Sequence, residues 1–232
     1  MKIVFVGPSL PDAASFAGDG VLIYPPAVQG DVLAAVRRGA GVIGIIDGGF
    51  EYTAPVWHKE ILSALSQNVA VLGAASMGAL RAAECQVFGM IGSGRIFHEY
   101  ESGATVDDAD VALLHGPMEY GYKPLTVPLV NVRATLDKLE NQKQLAHDLR
   151  VRLEDSAARI FFKERTWQSL VAHCDAVSPQ ERRDLISLLV SNAVDQKRMD
   201  ALALLEAVRA TSNADMHREN SWQMNETFVS PV

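Results

Sequence analysis

The sequence predicts an α/β fold, with a mostly parallel sheet flanked by helices and a helical C-terminal region. In the first half of the chain, short runs of apolar and largely β-branched residues alternate with amphipathic helical segments. In the second half, long helical patterns occur without such runs. Strands that alternate with helices pair in parallel. A chain of 232 residues with 48% hydrophobic content can bury one sizeable core and a smaller one.

The predicted elements follow from these patterns in chain order. Strands are expected at residues 2–6, 21–24, 41–47 and 69–72, with helices at 31–38 and 55–67. Residues 89–128 are rich in Gly and Pro and predict an insertion that faces the active site, or a short antiparallel element; the glycines of 89–94 indicate a flexible loop. Helical patterns then cover 130–139, 145–153, 157–171, 185–194 and 201–208, and Pro179 after Ser178 marks a helix start. The predicted parts are an α/β catalytic-like domain at 1–128, a helical region at 129–212 and a polar, mobile tail at 213–232.

The loops that follow the predicted strands place a site at one edge of the sheet. Right-handed crossovers bring residues 7–9, 24–26, 47–50 and 73–76 to the carboxyl ends of the strands, where α/β proteins bind ligands. Ser76 ends a turn of small residues and precedes a strong helix former, so its hydroxyl lies beside free helix N–H groups. The spacing Gly73-x-x-Ser76-x-Gly78 differs from the G-x-S-x-G nucleophile elbow. Ser76 is therefore either a nucleophile or an ordinary helix cap.

A serine nucleophile needs a base, and the candidates are His58, Lys59, His98 and His115. Lys59 borders the apolar stripe of the 55–67 helix, where its amine can lose solvent; a lysine base near neutral pH needs a pKa lowered by about 3 units. A surface lysine is the alternative. Asp47 ends a strand and is suited to orienting a base, binding a cation or capping a turn. Arg81 and Glu84 are spaced as a helical pair, or they line the site.

Composition excludes several other classes of protein. The formal net charge of −7 argues against nucleic acid as the main partner, and no apolar segment is long enough to span a membrane. The only cysteines, Cys85 and Cys174, form no metal-binding or C-x-x-C motif, which favours the cytoplasm. Cys85 is either a packed residue or, less simply, a carrier of persulfide sulfur. No cofactor or metal motif is present, so none is expected.

Several segments together resemble the TfuA-like family, whose members accompany YcaO enzymes in making peptide backbone thioamides. The resemblance covers about the first 135 residues. The matching segments are Phe5-Val-Gly-Pro-Ser9, Pro25-Pro-Ala27 with Gly30-Asp31, Ile46-Asp-Gly48, Val56-Trp-His-Lys-Glu60, Gly73-Ala-Ala-Ser-Met-Gly-Ala-Leu-Arg-Ala-Ala-Glu84, Phe88-Gly-Met90 and Pro128-Leu-Val-Asn-Val-Arg133.

The resemblance implies an enzyme that hydrolyses a thiocarboxylated sulfur-carrier protein of the ThiS type through a Ser–Lys pair and supplies sulfide to the YcaO enzyme. Ser76 and Lys59 match that pair, with Lys123 as a rival lysine. The amides near Met77 and Gly78 would stabilise the oxyanion. Residues expected to position groups or bind substrate are Ser9, Asp47, His58, Arg81 and His115. The precursor peptide is an indirect partner, and self-association is left open. The alternatives are a non-catalytic adaptor that helps the YcaO enzyme bind its peptide, and a small-ligand-binding α/β protein.

Overall fold

The computed structural model describes residues 1–49, 51–175, 177–212 and 222–224. It contains a five-stranded sheet in which every pairing is parallel, flanked by helices, so the predicted α/β class is confirmed. Contacts between Cα atoms divide the chain into two compact units, residues 1–105 with 198–232, and residues 106–197. The sequence prediction instead placed a boundary at residue 128 and grouped all the C-terminal helices together.

The sheet of the first unit has the strand order β2-β1-β3-β4-β5. Its strands are β1 (Lys2–Phe5), β2 (Val21–Tyr24), β3 (Val42–Ile45), β4 (Ala70–Gly73) and β5 (Ile91–Gly92). The first four lie where the apolar runs predict them. β3 and β4 are fully buried, which is why their sequences are continuous apolar runs and not alternating patterns.

The fifth strand corrects the prediction for residues 89–94. Ile91 and Gly92 pair in parallel with Leu72 and Gly73, so this stretch is not a flexible loop. A short antiparallel element, one of the two alternatives predicted within 89–128, lies farther along the chain, where His115 bridges Pro124. A two-residue strand is too short to give a period in the sequence, and its glycine indicated a turn. The glycine is required by packing, because a Cβ at Gly92 would lie 2.1 Å from the ring of Phe97.

Helices cover the sheet and connect its strands. The helices of the first unit are α1 (Asp31–Arg37), α2 (His58–Ser66), α3 (Met77–Cys85) and α4 (Gly94–Glu101), together with residues 198–210 of α9 (Gln196–Ala210). Leu204 and Val208 of α9 belong to the same buried cluster as Val4 and Val42. Gly44 of β3 makes room for α9, since a Cβ there would lie 2.9 Å from Val208.

The second unit is helical and has its own core. It contains α5 (Leu129–Asn141), α6 (His147–Arg159), α7 (Trp167–Ala172) and α8 (Pro179–Ser191). Their inward faces form one buried cluster that includes Leu136, Leu153 and Leu189. Ser178 caps α8 and accepts from the N–H of Glu181, as the Ser178-Pro179 start predicted. The predicted continuous helix at 157–171 is wrong: α6 ends at Arg159, and α7 starts after the capping residue Thr166.

Each helix in the described part of the chain is too short or too polar to span a lipid bilayer. Most of the tail at 213–232, predicted to be mobile, lies outside the described residues. Within it, Trp222 donates its indole N–H to the Phe88 carbonyl at 3.0 Å, and the two rings meet edge to face at 5.6 Å.

Candidate functional site

Ser76 lies at the carboxyl end of β4, as predicted, and immediately precedes α3. Its N–H donates to the carbonyl of Ala74 at 2.7 Å, which closes a three-residue turn around Ala75. Ala75 has a φ of +66° although it is not a glycine. This is the rare and strained form of the γ-turn. Ser76 is partly exposed, whereas residues 71–75 before it and 77–79 after it are buried. Ser76 is therefore not enclosed in the core.

The hydroxyl of Ser76 does not cap the helix. No hydrogen bond from its side chain to the start of α3 is present, and within the described part of the chain its Oγ has no hydrogen-bond partner at all. The simple alternative of an ordinary helix cap therefore does not describe this serine. It follows that the hydroxyl is available to a ligand or a base.

The two amides expected to hold an oxyanion behave differently. The N–H of Gly78 donates to the Ile46 carbonyl at 3.2 Å, so the expectation that it is free is wrong. The N–H of Met77 has no acceptor in the described part of the chain. The Gly78 amide reaches the Ile46 carbonyl because α3 and β3 pack closely there. A Cβ at Gly78 would lie 1.7 Å from the Ile45 carbonyl oxygen, so the first turn of α3 is in contact with the end of β3. Met77 is the amide left for an incoming oxygen.

Asp47 and Ser9 lie together at the same edge of the sheet. Oδ2 of Asp47 accepts the backbone N–H groups of Gly7 and Ser9, both at 2.9 Å, and Oδ1 accepts the Ser9 hydroxyl at 2.6 Å. Both residues are 2% exposed. Asp47 thus joins the loop after β1 to the end of β3. Its contacts are those of a residue that organises the edge, and its role in positioning catalytic groups stays a prediction.

Lys59 lies in the first turn of α2 and is exposed. The apolar surroundings expected from its place beside the Ile61 and Leu65 stripe are therefore not formed around it in this chain. Because Ser76 Oγ has no partner in the described part of the chain, the two side chains of the predicted pair are not hydrogen-bonded to each other. Catalytic contacts of this kind often tighten only when substrate is bound.

His58 and Arg81 meet at one carboxylate. Nε2 of His58 lies 2.7 Å from Oε2 of Glu84, and Nη1 of Arg81 donates to the same oxygen at 2.6 Å. Nε of Arg81 also donates to the carbonyl of Val56 at 3.0 Å. Arg81 and Glu84 form the helical pair that their spacing predicted, and the structure adds His58 to it. His58 is thus directed toward the last turn of α3, while Ser76 precedes the first turn.

Glu60 is a buried carboxylate that the sequence analysis left without a role. It is 3% exposed, and Oε1 accepts the N–H of Gly30 at 2.8 Å and that of Trp57 at 3.4 Å. Within the described residues, its Oε2 has no hydrogen-bond partner. A glutamate three residues after a helix N-cap often bonds back to that residue, and this spacing was the available signal. The contact with Gly30 is tertiary and leaves no trace in the local sequence.

Of the remaining candidates, His98 lies on α4 of the first unit with its Nδ1 3.1 Å from Oε2 of Glu101, and the others lie in the second unit. His115 forms an isolated bridge with Pro124, and its ring lies 5.6 Å from that of Tyr122. Lys123 is exposed. A hollow of about 400 Å³ in this unit is lined by none of the predicted site residues; its lining includes Ser156, Arg159, Phe161, Glu164 and His173. The positioning role of His115 stays a prediction.

Cys85 does not have the properties of a sulfur carrier. Its side chain is 1% exposed, and burial raises the pKa of its thiol to about 11, with the charge of Glu84 acting in the same direction. A thiol must ionise to accept or transfer sulfur, and this one stays protonated near neutral pH. Among the described residues, no group of three His, Cys, Asp or Glu side chains is placed to hold a metal ion.

Comparison with known proteins gives the class to which this fold and edge site belong. The chain matches the family of TfuA-like proteins over residues 47–166, which include Asp47, Lys59 and Ser76 and extend into the second unit. The protein is a member of the TfuA-like family, as the sequence resemblance indicated. This membership supports an accessory role beside YcaO-type enzymes in thioamidation. No curated protein matches the chain.

Proposed function

We propose that this protein hydrolyses the thiocarboxylate of a ThiS-type sulfur-carrier protein, and that the sulfide it releases is used by a YcaO enzyme. Ser76 is the nucleophile and Lys59 the base in this proposal. The observation that carries it is the state of Ser76: its hydroxyl has no partner in the described residues, it follows a strained turn at the carboxyl edge of the sheet, and it adjoins the free N–H of Met77.

The chemistry requires one proton to move from oxygen to sulfur. Ser76 Oγ forms a bond to the thiocarboxylate carbon, and neutral Lys59 takes the hydroxyl proton. The tetrahedral intermediate carries negative charge on oxygen and sulfur, and the Met77 N–H donates to the oxygen. The carbon–sulfur bond then breaks. Doubly charged sulfide is a poor leaving group, so the lysine returns its proton to sulfur and hydrosulfide departs, leaving an acyl ester on Ser76. Water hydrolyses that ester to a carboxylate, releases one proton and restores the serine.

The exposure of Lys59 limits when this base can act. An amine in water stays protonated at neutral pH, so the neutral form needed in the first step requires water to be excluded. In the proposal, the docked carrier covers the first turn of α2 and supplies that exclusion. Hydrolysis of a small thioacid, which covers little surface, is therefore expected to be slower than hydrolysis of the carrier.

The test uses purified carrier thiocarboxylate, with sulfide and carboxylate products measured over time. Ser76→Ala is expected to lower kcat/KM by about a thousandfold or more. It should change the free energy of unfolding by less than about 1 kcal/mol, because this serine makes no cap to lose. Lys59→Met should lower kcat/KM by a similar factor, to a residual rate that can still be measured, while it keeps the aliphatic stem. Lys59→Arg should not restore activity because the guanidinium stays protonated.

Lys123→Met is the matched control for the choice of base, and His58→Ala tests the histidine as a rival base. Full activity in Lys59→Met, with loss in Lys123→Met or His58→Ala, assigns the base to the residue whose substitution abolishes activity. Full activity in Ser76→Ala refutes the hydrolase proposal. If Ser76→Ala still promotes binding of the precursor peptide to the YcaO enzyme while the wild type releases no sulfide, the protein is an adaptor.

A further inference from the structure

We propose that Glu84 is a positioning residue of the Ser76–Lys59 site, because it holds the first turn of α2 against α3 and so sets the Lys59 amine relative to the Ser76 hydroxyl. This inference rests on the proposed function. It assigns Glu84 a role that neither its spacing to Arg81 nor the family membership supplies.

The hydrogen bonds around Glu84 join two helices. Its Oε2 accepts from His58, the first residue of α2, at 2.7 Å and from Arg81 of α3 at 2.6 Å. Because a carboxylate only accepts, Nε2 of His58 carries the hydrogen. Arg81 extends the connection by donating to the Val56 carbonyl at 3.0 Å. Val56 and His58, on either side of Trp57, are thus both hydrogen-bonded to side chains of α3.

The other side of the same turn is fixed by Glu60. Its Oε1 accepts from Gly30 at the start of α1 and from Trp57 at the start of α2. Lys59 therefore lies between two anchored neighbours, His58 on the side of α3 and Glu60 on the side of α1. Its backbone is held in place although its side chain is exposed. Fixing the Lys59 backbone reduces the freedom of the amine to leave the site.

Glu84 acts through this turn and not on the reacting atoms. It stands eight residues after Ser76 on α3, a separation of about 12 Å along a helix axis. Its side chain is 36% exposed and that of His58 is 49% exposed, and exposed ion pairs contribute little to global stability. A substitution at Glu84 should therefore change catalysis more than folding.

The test compares Glu84→Gln with a matched control on the neighbouring helix. Glu84→Gln keeps the size of the side chain and removes the negative charge that accepts from His58 and Arg81. We expect kcat to fall about tenfold or more with KM within about twofold of the wild type and with an unchanged melting temperature. Glu99→Gln is the control, because Glu99 forms a comparable helical pair with Arg95 at 2.6 Å within α4. It should leave kcat unchanged.

A double-mutant cycle separates positioning of Lys59 from a general structural effect. If Glu84 acts through Lys59, Glu84→Gln combined with Lys59→Met should be no slower than Lys59→Met alone. Additive losses, an unchanged kcat in Glu84→Gln, or a fall in melting temperature that matches the loss of activity would each overturn the inference.

Amide hydrogen exchange gives a readout that does not depend on the reaction. Glu84→Gln is expected to speed exchange at residues 60–62, whose N–H groups are the first of α2 to be hydrogen-bonded, at least fivefold, while exchange in the middle of α3 stays as in the wild type. Unchanged exchange at residues 60–62 overturns the inference whether or not the protein hydrolyses thiocarboxylates. Faster exchange without any hydrolysis by the wild type would leave the anchoring intact but refute both the proposed function and the positioning role.

Discussion

The hydroxyl of Ser9 donates to Oδ1 of Asp47 at 2.6 Å, across the 38 residues that separate them in sequence. The same carboxylate binds two backbone N–H groups of the loop after β1. Because the Asp47 side chain is buried, these bonds are shielded from water. The ends of β1 and β3 are thereby joined into one rigid edge, next to the strand end that carries Ser76.

Removing the Asp47 carboxylate is expected to cost far more stability than removing the Ser9 hydroxyl. Asp47→Ala leaves the N–H groups of Gly7 and Ser9 buried without acceptors, so the free energy of unfolding should fall by about 3 kcal/mol or more. Ser9→Ala removes one of the three bonds and should cost about 1–2 kcal/mol. Urea titrations of both variants measure the difference. Equal losses would contradict the view that the carboxylate organises the edge.

The strained turn before Ser76 limits which side chains residue 75 can carry. A left-handed conformation costs a non-glycine residue about 1–2 kcal/mol, and glycine loses about 0.5–1 kcal/mol of backbone entropy. Ala75→Gly should therefore leave stability unchanged or raise it by up to about 1.5 kcal/mol. Ala75→Val should destabilise by about 3 kcal/mol, because a β-branched side chain is disfavoured at φ +66° and the site is fully buried. Thermal unfolding of the two variants tests this, and equal stability of Val and Ala would argue against the turn.

Gly78 is required by the contact between α3 and β3. In Gly78→Ala the new methyl group would meet the Ile45 carbonyl oxygen at 1.7 Å, so α3 must shift. We expect a loss of about 3 kcal/mol and reduced sulfide release, because the Met77 N–H moves with the helix. Gly116→Ala is the matched control, since its nearest neighbours would lie at an ordinary 3.8 Å. A stability change in Gly78→Ala no greater than in the control would refute the close packing.

The buried thiol of Cys85 gives a prediction about pH. Burial raises its pKa to about 11, so the reactive thiolate grows only as the pH rises toward that value. At pH 8 about one thiol in a thousand is ionised. In a Cys174→Ala background, iodoacetamide should modify Cys85 at least about a hundredfold more slowly in the native protein than in urea. Cys85→Ala should retain sulfide release. Rapid native alkylation, or loss of release in a folded Cys85→Ala variant, would restore sulfur carriage by this residue.

The parts of the fold that were predictable from sequence are those with a local signal. The first four strands are apolar runs of residues that favour strands, and Ser178 before Pro179 gives the start of α8 directly. The fifth strand was missed because two residues are too few to show the alternation of apolar and polar side chains that marks a strand. The break between α6 and α7 was missed because residues 160–166 continue an apolar pattern that a capping threonine interrupts.

The candidate site also contains residues that the sequence predicts and contacts that it does not. Ser76 and Asp47 were found because each follows a buried strand, where topology alone brings residues together. Three tertiary contacts were not predictable, and each joins residues at least 26 positions apart. They are the hydrogen bonds of Gly78 with Ile46, of Gly30 with Glu60 and of His58 with Glu84. Nothing in the local sequence specifies which partner each group meets. The exposure of Lys59 belongs with these, since amphipathic spacing predicts a face and not the depth of a side chain.

The return of α9 to the sheet has a consequence for synthesis of the chain. Leu204 and Val208 complete the apolar cluster around Val4 and Val42, but they are translated after every residue of the second unit. On the ribosome, residues 106–197 can therefore reach their full set of internal contacts while the nascent sheet still has one bare apolar face. Release of a chain truncated before residue 198 leaves that face uncovered. Such a fragment should be a preferred client of chaperones that bind exposed hydrophobic surface.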